Sequence, residues 1–319
     1  MSKRNNLKKI SLILGILLVG LVALKTKDYV KGDRSFNKFI VKIDTSEVTE
    51  IKIGLRKSAE VLELVKEKDL WMLLNDGKRV QADNETIDEL LSQLNELKPK
   101  RVAATTKDKW AEYEVTDSLG TKITVMKGKK EVARLVLGKF SYAPGKGQNP
   151  YQQPNYIMTS YIRKSNDNEV FAVDGYLSMM FNRPAEAFRE NSVLVGKPES
   201  WKKISYRYAA DSAFTLENQD GKWMVNSMLA DSALVQGYFA KIRMLTSQSF
   251  DNQTVIEANQ LPDFTVSVEQ TEGKLIEVKA YTNHLGERVF TSSQNKGTVF
   301  KAEPIQSMLC VGKEHFFKQ

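Results

Sequence analysis

The side chains with the greatest chemical potential in this chain are few and scattered. Its 319 residues include two histidines, His284 and His315, and one cysteine, Cys310. A metal site needs three or four Cys, His, Asp or Glu ligands gathered at one point, and no such cluster accompanies either histidine. Both are read as surface residues. A single cysteine closes no intramolecular disulfide, so stability must rest on core burial. The sequence has no GxSxG elbow, P-loop, HExxH or CxxC. Gly145-Lys146-Gly147 is a fragment of a glycine-rich loop that lacks the later Gly and Ser/Thr of a phosphate cradle. Asp88 and Glu89 are adjacent, point different ways on a helix, and read as a solvated face rather than an acid/base couple. Arg189-Glu190 is the one interior charged spot, and it reads as a structural ion pair at a seam between modules. No catalytic, cofactor-binding or metal residue is assigned, no cofactor is expected, and the chain reads as a non-enzyme.

The elements that would position any site form a pattern written twice. Residues 48–74, VTEIKIGLRKSAEVLELVKEKDLWMLL, alternate apolar and polar residues in a small meander. Asn75-Asp76-Gly77 signals a turn, and Asp83 is placed to cap a helix. Ile87, Leu90, Leu91, Leu94 and Leu97 recur at helical spacing until Pro99. Strands are then expected at Tyr113–Val115, Ile123–Met126 and Arg134–Leu137. From Trp201 the order recurs: WKKISYRY, a strand at Ser212–Leu216, the turn Asp220-Gly221, Lys222-Trp223-Met224-Val225 and Ala230-Asp231. The stripe Val235, Tyr238, Phe239, Ile242 and Leu245 follows. Gly273 with Lys274 and Ile276 echoes Gly120 with Lys122 and Ile123. An internal repeat is a strong organising signal in a single sequence. It predicts an α+β protein of two repeated modules, each an antiparallel β-sheet covered by an amphipathic helix. Trp71 and Trp223 are expected between helix and sheet rather than on a ligand platform. Between the copies lie the loop Ala143–Asn155 and a hairpin of Tyr156–Arg163 with Glu169–Val173. Short helical pieces split by Pro184 complete the connection.

Ahead of both copies, Lys3, Arg4, Lys8 and Lys9 precede an uncharged apolar run over residues 10–24. With Lys8 and Lys9 snorkelling, the run is adequate to span a bilayer. A signal-peptidase site is poor, because Leu21 stands where a small residue belongs before Ala23. A lipoprotein anchor needs a cysteine just after the run, and the chain's cysteine is Cys310. The reading is an uncleaved signal anchor contacting membrane lipid through residues 10–24, with the basic tail inside the inner membrane and the large part extracytoplasmic. Formal charge is +8, and four of those charges precede the run, leaving +4 for the rest. That is too mild and dispersed for nucleic-acid binding. The expected organisation is a cytoplasmic tail at 1–9, the anchor at 10–24 and a tether at 25–43. A first module at 44–142, a connecting region at 143–198 and a second module at 199–319 follow.

Several stretches resemble the bacterial family known as domain of unknown function 4340. They are the basic anchor, Asp44-Thr45 with Val48-Thr49-Glu50-Ile51, and Leu137-Gly138-Lys139. Tyr156–Val173, Phe188-Arg189-Glu190-Asn191-Ser192-Val193-Leu194 and Asp220-Gly221-Lys222-Trp223 complete the set. The first copy departs from the pattern, with Lys68-Asp69-Leu70-Trp71 where an aspartate-glycine turn is usual. The resemblance carries over no catalytic residue, and it implies companionship with membrane transport systems of the gliding-motility exporter kind. The leading expectation is a membrane-anchored envelope scaffold that binds a protein partner. The rival is a module binding a small molecule or glycan in the cleft between the copies, served by Tyr142, Tyr151 and Tyr156.

Overall fold

The alternation of Ile51 and Ile53 with polar residues produces a strand with one fully buried face. It belongs to the first of two large antiparallel sheets in this computed structural model, which describes residues 39–75, 77–95, 97–145, 156–209 and 212–318. The tail at 1–9, the apolar run at 10–24 and residues 25–38 of the expected tether lie outside the described residues. No helix among the described residues is long and apolar enough to cross a membrane.

The first sheet comprises β1 (Glu50–Gly54), β2 (Val61–Glu67), β3 (Leu70–Asn75), β4 (Lys78–Gln81), β5 (Arg101–Ala104), β6 (Thr121–Lys127), β7 (Lys130–Pro144), β8 (Tyr156–Lys164) and β9 (Val170–Asp174). Their spatial order is β4-β3-β2-β1-β6-β7-β8-β9-β5. A two-stranded pair follows, β10 (Ser192–Val195) with β15 (Met244–Thr246). The second sheet comprises β11 (Trp201–Tyr208), β12 (Ala213–Gln219), β13 (Lys222–Val225), β14 (Met228–Leu229), β16 (Phe264–Gln270), β17 (Leu275–Thr282), β18 (Arg288–Ser292) and β19 (Asn295–Lys301). Their order is β14-β13-β12-β11-β16-β17-β18-β19. The result is a sheet-rich α+β protein.

Helix α1 (Asn84–Leu94) buries Ile87, Leu90, Leu91 and Leu94 against the first sheet's core, and Asp83 caps it by accepting from the Glu85 and Thr86 amides. The later, short α2 (Leu177–Phe181) adds Leu177 and Phe181 to the same core. Helix α3 (Ser232–Ile242) buries Val235, Tyr238, Phe239 and Ile242 against the second sheet, with Asp231 as its cap. The short α4 (Ile305–Leu309) joins that second core. Trp71 is fully buried in the first core. Trp223 is half-buried against the second and meets the Phe239 ring edge-on, with centroids 4.9 Å apart.

Four expectations are corrected. Tyr113–Val115 is a turn, not a strand: Glu114 has φ +55°, and the segment bonds to the sheet chiefly through Lys139 N to Tyr113 O at 2.9 Å. Gly120 immediately precedes β6, whereas Gly273 sits in the β16–β17 turn with φ +71°, so the two glycines do not hold like positions. The tether ends earlier than residue 43, because Ile40, Val41 and Ile43 enter the first core and Ile40 N bonds to Leu97 O. Residues 156–188 are not a connector: β8 and β9 are integral to the first sheet, and Ile162, Phe171, Val173, Phe181 and Phe188 fill its core. The first unit therefore closes at Phe188, whose carbonyl accepts from Asp83 N at the helix cap.

The second core contains two phenols that tie the fold to pH. The Tyr206 hydroxyl donates to Tyr238 Oη at 3.0 Å, and both side chains are buried. Burial pushes both phenols up from their ordinary value. The fold favours the neutral forms, so this stability is present below the ordinary tyrosine value near pH 10 and is lost as pH rises through the folded values. We expect the melting temperature to fall above about pH 10, with a flatter slope in Tyr206→Phe. An identical slope in that variant would place the titration elsewhere.

Candidate interaction surface and the seam between the sheets

β7 runs on past its last partner in β6 at Leu137, and β8 begins three residues before its pairing with β9 at Thr159, so the two project as an arm with Tyr142 opposite Met158, Ala143 opposite Ile157 and Pro144 opposite Tyr156. Strand alternation puts Phe140, Tyr142, Tyr156 and Met158 on one face and Ile157 on the other. Tyr142 is 70 % exposed, and Tyr156, Ile157 and Met158 are also exposed. The rings form a file: Phe140 and Tyr142 centroids are 6.4 Å apart, and Tyr142 meets Tyr156 edge-on at 5.8 Å. At the base of the arm Gly175, with φ +103°, donates its amide to Met158 O and leads into exposed Tyr176 and Met179. Contiguous exposed apolar groups of this kind mark interaction sites on soluble domains. Tyr151 and the rest of 146–155 lie outside the described residues.

The back of the first sheet is covered by residues 105–119. Val115 packs with Val136, Tyr161, Val170 and Ala172, and Trp110 and Tyr113 close the cluster. Arg163, fully buried, ties this loop down. It donates through Nε to Val115 O at 3.0 Å, through Nη1 to the Lys164 and Ser165 carbonyls, and through Nη2 to Asp117 Oδ1 at 2.9 Å. Its guanidinium also stacks 3.8 Å from the Trp110 ring. Each of its three guanidinium nitrogens has an acceptor, so Arg163 is structural.

Arg189 lies at the seam between the two sheets, but it is not paired with Glu190. Its backbone is extended, so neighbouring side chains leave on opposite sides. Glu190 accepts from the Ser192 amide, while Arg189 donates through Nη1 to Asn252 Oδ1 at 2.8 Å and stacks 3.7 Å from the Phe250 ring. Burial pushes its guanidinium down from the ordinary value. Lys78 on the edge strand β4 donates to the Asn252 carbonyl at 2.6 Å, and β4 lies against β19. Within the second unit Gln294 exchanges hydrogen bonds with the Val195 backbone, taking the place of a neighbouring strand.

The remaining chemical candidates are dispersed. His284, Asp88 and Glu89 are exposed, and exposed His315 touches the Tyr238 and Phe316 rings. Burial pushes the Cys310 thiol up, which disfavours the reactive thiolate. Among the described residues no three His, Cys, Asp or Glu are grouped to hold a metal ion.

Two large antiparallel sheets, each flanked by a helix, with an apolar arm on the first, define the class: a sheet-rich α+β protein with an exposed apolar patch. The chain belongs to the family described as Domain of unknown function (DUF4340), whose model matches residues 71–263, from β3 to the start of β16. No curated protein and no solved structure matches it. Sequence reading singled out Tyr142 and Tyr156 but missed Ile157 and Met158. The signal was an uninterrupted Tyr-Ile-Met run opening a strand, with no polar residue to form a solvent face. It also missed Lys78 and Asn252, which lie far from Arg189 in sequence and carry no local pattern.

Proposed function

We propose that this protein is a membrane-anchored extracytoplasmic scaffold of the bacterial envelope that binds a protein partner through the β7–β8 arm. The partner belongs to a membrane transport or gliding-type export assembly. The observation that carries the reading is the exposed file of Tyr142, Tyr156 and Met158 with Ile157 behind it. The anchor is residues 10–24, held in the inner membrane by apolar length and basic flanks.

We read the two sheets as two copies of one module. β1, β2, β3, β4, β6, β7, β8 and β9 correspond in order to β11, β12, β13, β14, β16, β17, β18 and β19. The correspondence continues through both capped helices, and Asp83 N to Phe188 O is matched by Asp231 N to Phe316 O. In this comparison the arm is an elaboration of the first copy: β7 has 15 residues where β17 has 8. Additions to one repeat commonly build the binding face. The aromatic rings suited to a glycan cleft, Tyr142 and Tyr156, are on the arm and not at the seam, which favours the protein-binding reading.

A photo-reactive residue replacing Tyr142 in the full chain, irradiated in native membranes, is expected to give one dominant adduct. The same probe at exposed Leu261 in the second unit serves as control. Ile157→Ser with Met158→Ser is expected to reduce capture by about tenfold or more, the scale of losing an apolar hot spot. Equal adducts at both positions would sink the reading. A mature N-terminus beginning after Ala23 would remove the anchor from it.

A further inference from the structure

The seam contains a buried cation with no ion-pair contact among the described residues. Arg189 is 6 % exposed, and its Nε has no hydrogen-bond partner. Among the described residues its polar contact is the neutral Asn252 amide oxygen, and no carboxylate lies within ion-pair distance, although Glu186 acts on it from farther away. Burying a charge is costly unless it is paired and hydrogen-bonded. Arg163 shows how this chain treats a buried arginine when the role is structural: three carbonyls and one carboxylate satisfy it. Arg189 lacks that treatment: one amide oxygen and the Phe250 ring are what it meets. It lines a cavity of about 120 Å³ together with Lys78, Asn252 and Glu186, with Leu73 and Val80 as an apolar wall.

We propose that this cavity is a binding site for a small singly charged oxyanion of the carboxylate class. Arg189 supplies the guanidinium charge and the Nη donors beyond the one spent on Asn252. Lys78 uses one donor on the Asn252 carbonyl and keeps two more. Asn252 accepts through Oδ1 and retains its NH₂ as a further donor. Glu186 is exposed and also borders the cavity, so two cations and one carboxylate give a net charge of +1. That balance suits a monoanion better than a dianion. The volume of about 120 Å³ is on the scale of a small anion. The donors come from both units, Lys78 from β4 and Asn252 from the segment beside β19, so the bound anion fastens one sheet to the other. This site is separate from the arm and does not depend on the partner-binding reading.

The test is thermal unfolding of the full chain in detergent with acetate, phosphate or chloride at matched ionic strength. Acetate is expected to raise the melting temperature saturably in the millimolar range, more than phosphate, with chloride giving no saturable shift. Lys78→Gln is expected to weaken acetate about tenfold or more, the scale of a lost charge-assisted hydrogen bond. Arg189→Met is expected to abolish the saturable shift; if that variant does not fold, Lys78→Gln and Asn252→Ala decide. Equal shifts with acetate and chloride would overturn the proposal. So would a response to acetate unchanged in Lys78→Gln and Asn252→Ala. A phosphate response stronger than acetate would overturn the monoanion assignment.

Discussion

Gly138→Ala is expected to destabilise the protein by about 3 kcal/mol or more, which lowers the melting temperature by roughly 6–12 °C at this chain size. A Cβ at Gly138 would stand 2.1 Å from Tyr113 O and 2.6 Å from Val115 Cγ1. The nearest atom is backbone, so no rotamer change relieves the contact. β7 is irregular between Leu137 and Phe140, and that irregularity aims the Lys139 amide away from β8 towards Tyr113 O. The substitution must therefore push residues 105–119 off the sheet or break the bulge. Gly237→Ala is the control. It lies inside α3 with nothing within 4 Å of its Cβ position, and alanine there is expected to stabilise by up to about 1 kcal/mol. Thermal or urea unfolding of the two variants checks the contrast, and equal effects would refute the close-approach argument.

Removing the Arg163 side chain attacks the same loop from its other anchor. Arg163→Met is expected to cost about 3 kcal/mol or more, since it leaves the Val115, Lys164 and Ser165 carbonyls without their donor. Asp117 is exposed and can turn to water, so the loss lies with the carbonyls and with the stack on Trp110. Arg163→Lys keeps the charge but neither the fork nor the stack, so an intermediate loss is expected. The loop should open before the sheet does, because its attachments are few and local. Limited trypsin digestion after Lys107 and Lys109, compared with urea unfolding, separates the two events. Cleavage that only follows global unfolding would show that the loop is not independently held.

These residues show which parts of the molecule sequence could reveal. The two capped helices were legible because a cap and an apolar stripe are local: Asp83 with Ile87, Leu90, Leu91 and Leu94, and Asp231 with Val235, Tyr238, Phe239 and Ile242. The Asp220-Gly221 turn was legible for the same reason, both residues having positive φ. Tyr113–Val115 misled because its apolar alternation imitates a strand, while its real partner is a bulge two dozen residues away. The closing boundary at Phe188 was hidden, because a short helix and a single 3₁₀ turn acquire their place only from a core assembled across the sheet. Arg189 was noticed for a charged neighbour, but an extended backbone separates adjacent side chains, and its contacts come from residues more than sixty positions away. The arm was half legible: its aromatics stood out, and its length depended on pairing that no local pattern announces.

The placement of β4 against β19 has a consequence for solubility. Each is the last strand of its sheet, and a terminal strand is an open template for another chain to pair with. Here each unit shields the other's raw border, with Lys78 keeping a charge on the margin. Cut apart between Phe188 and Trp201, both halves would carry a hydrophobic core and an unguarded rim. Tethering the two units in one chain thus works as a built-in safeguard against self-association, because each unit stays beside the other's exposed border.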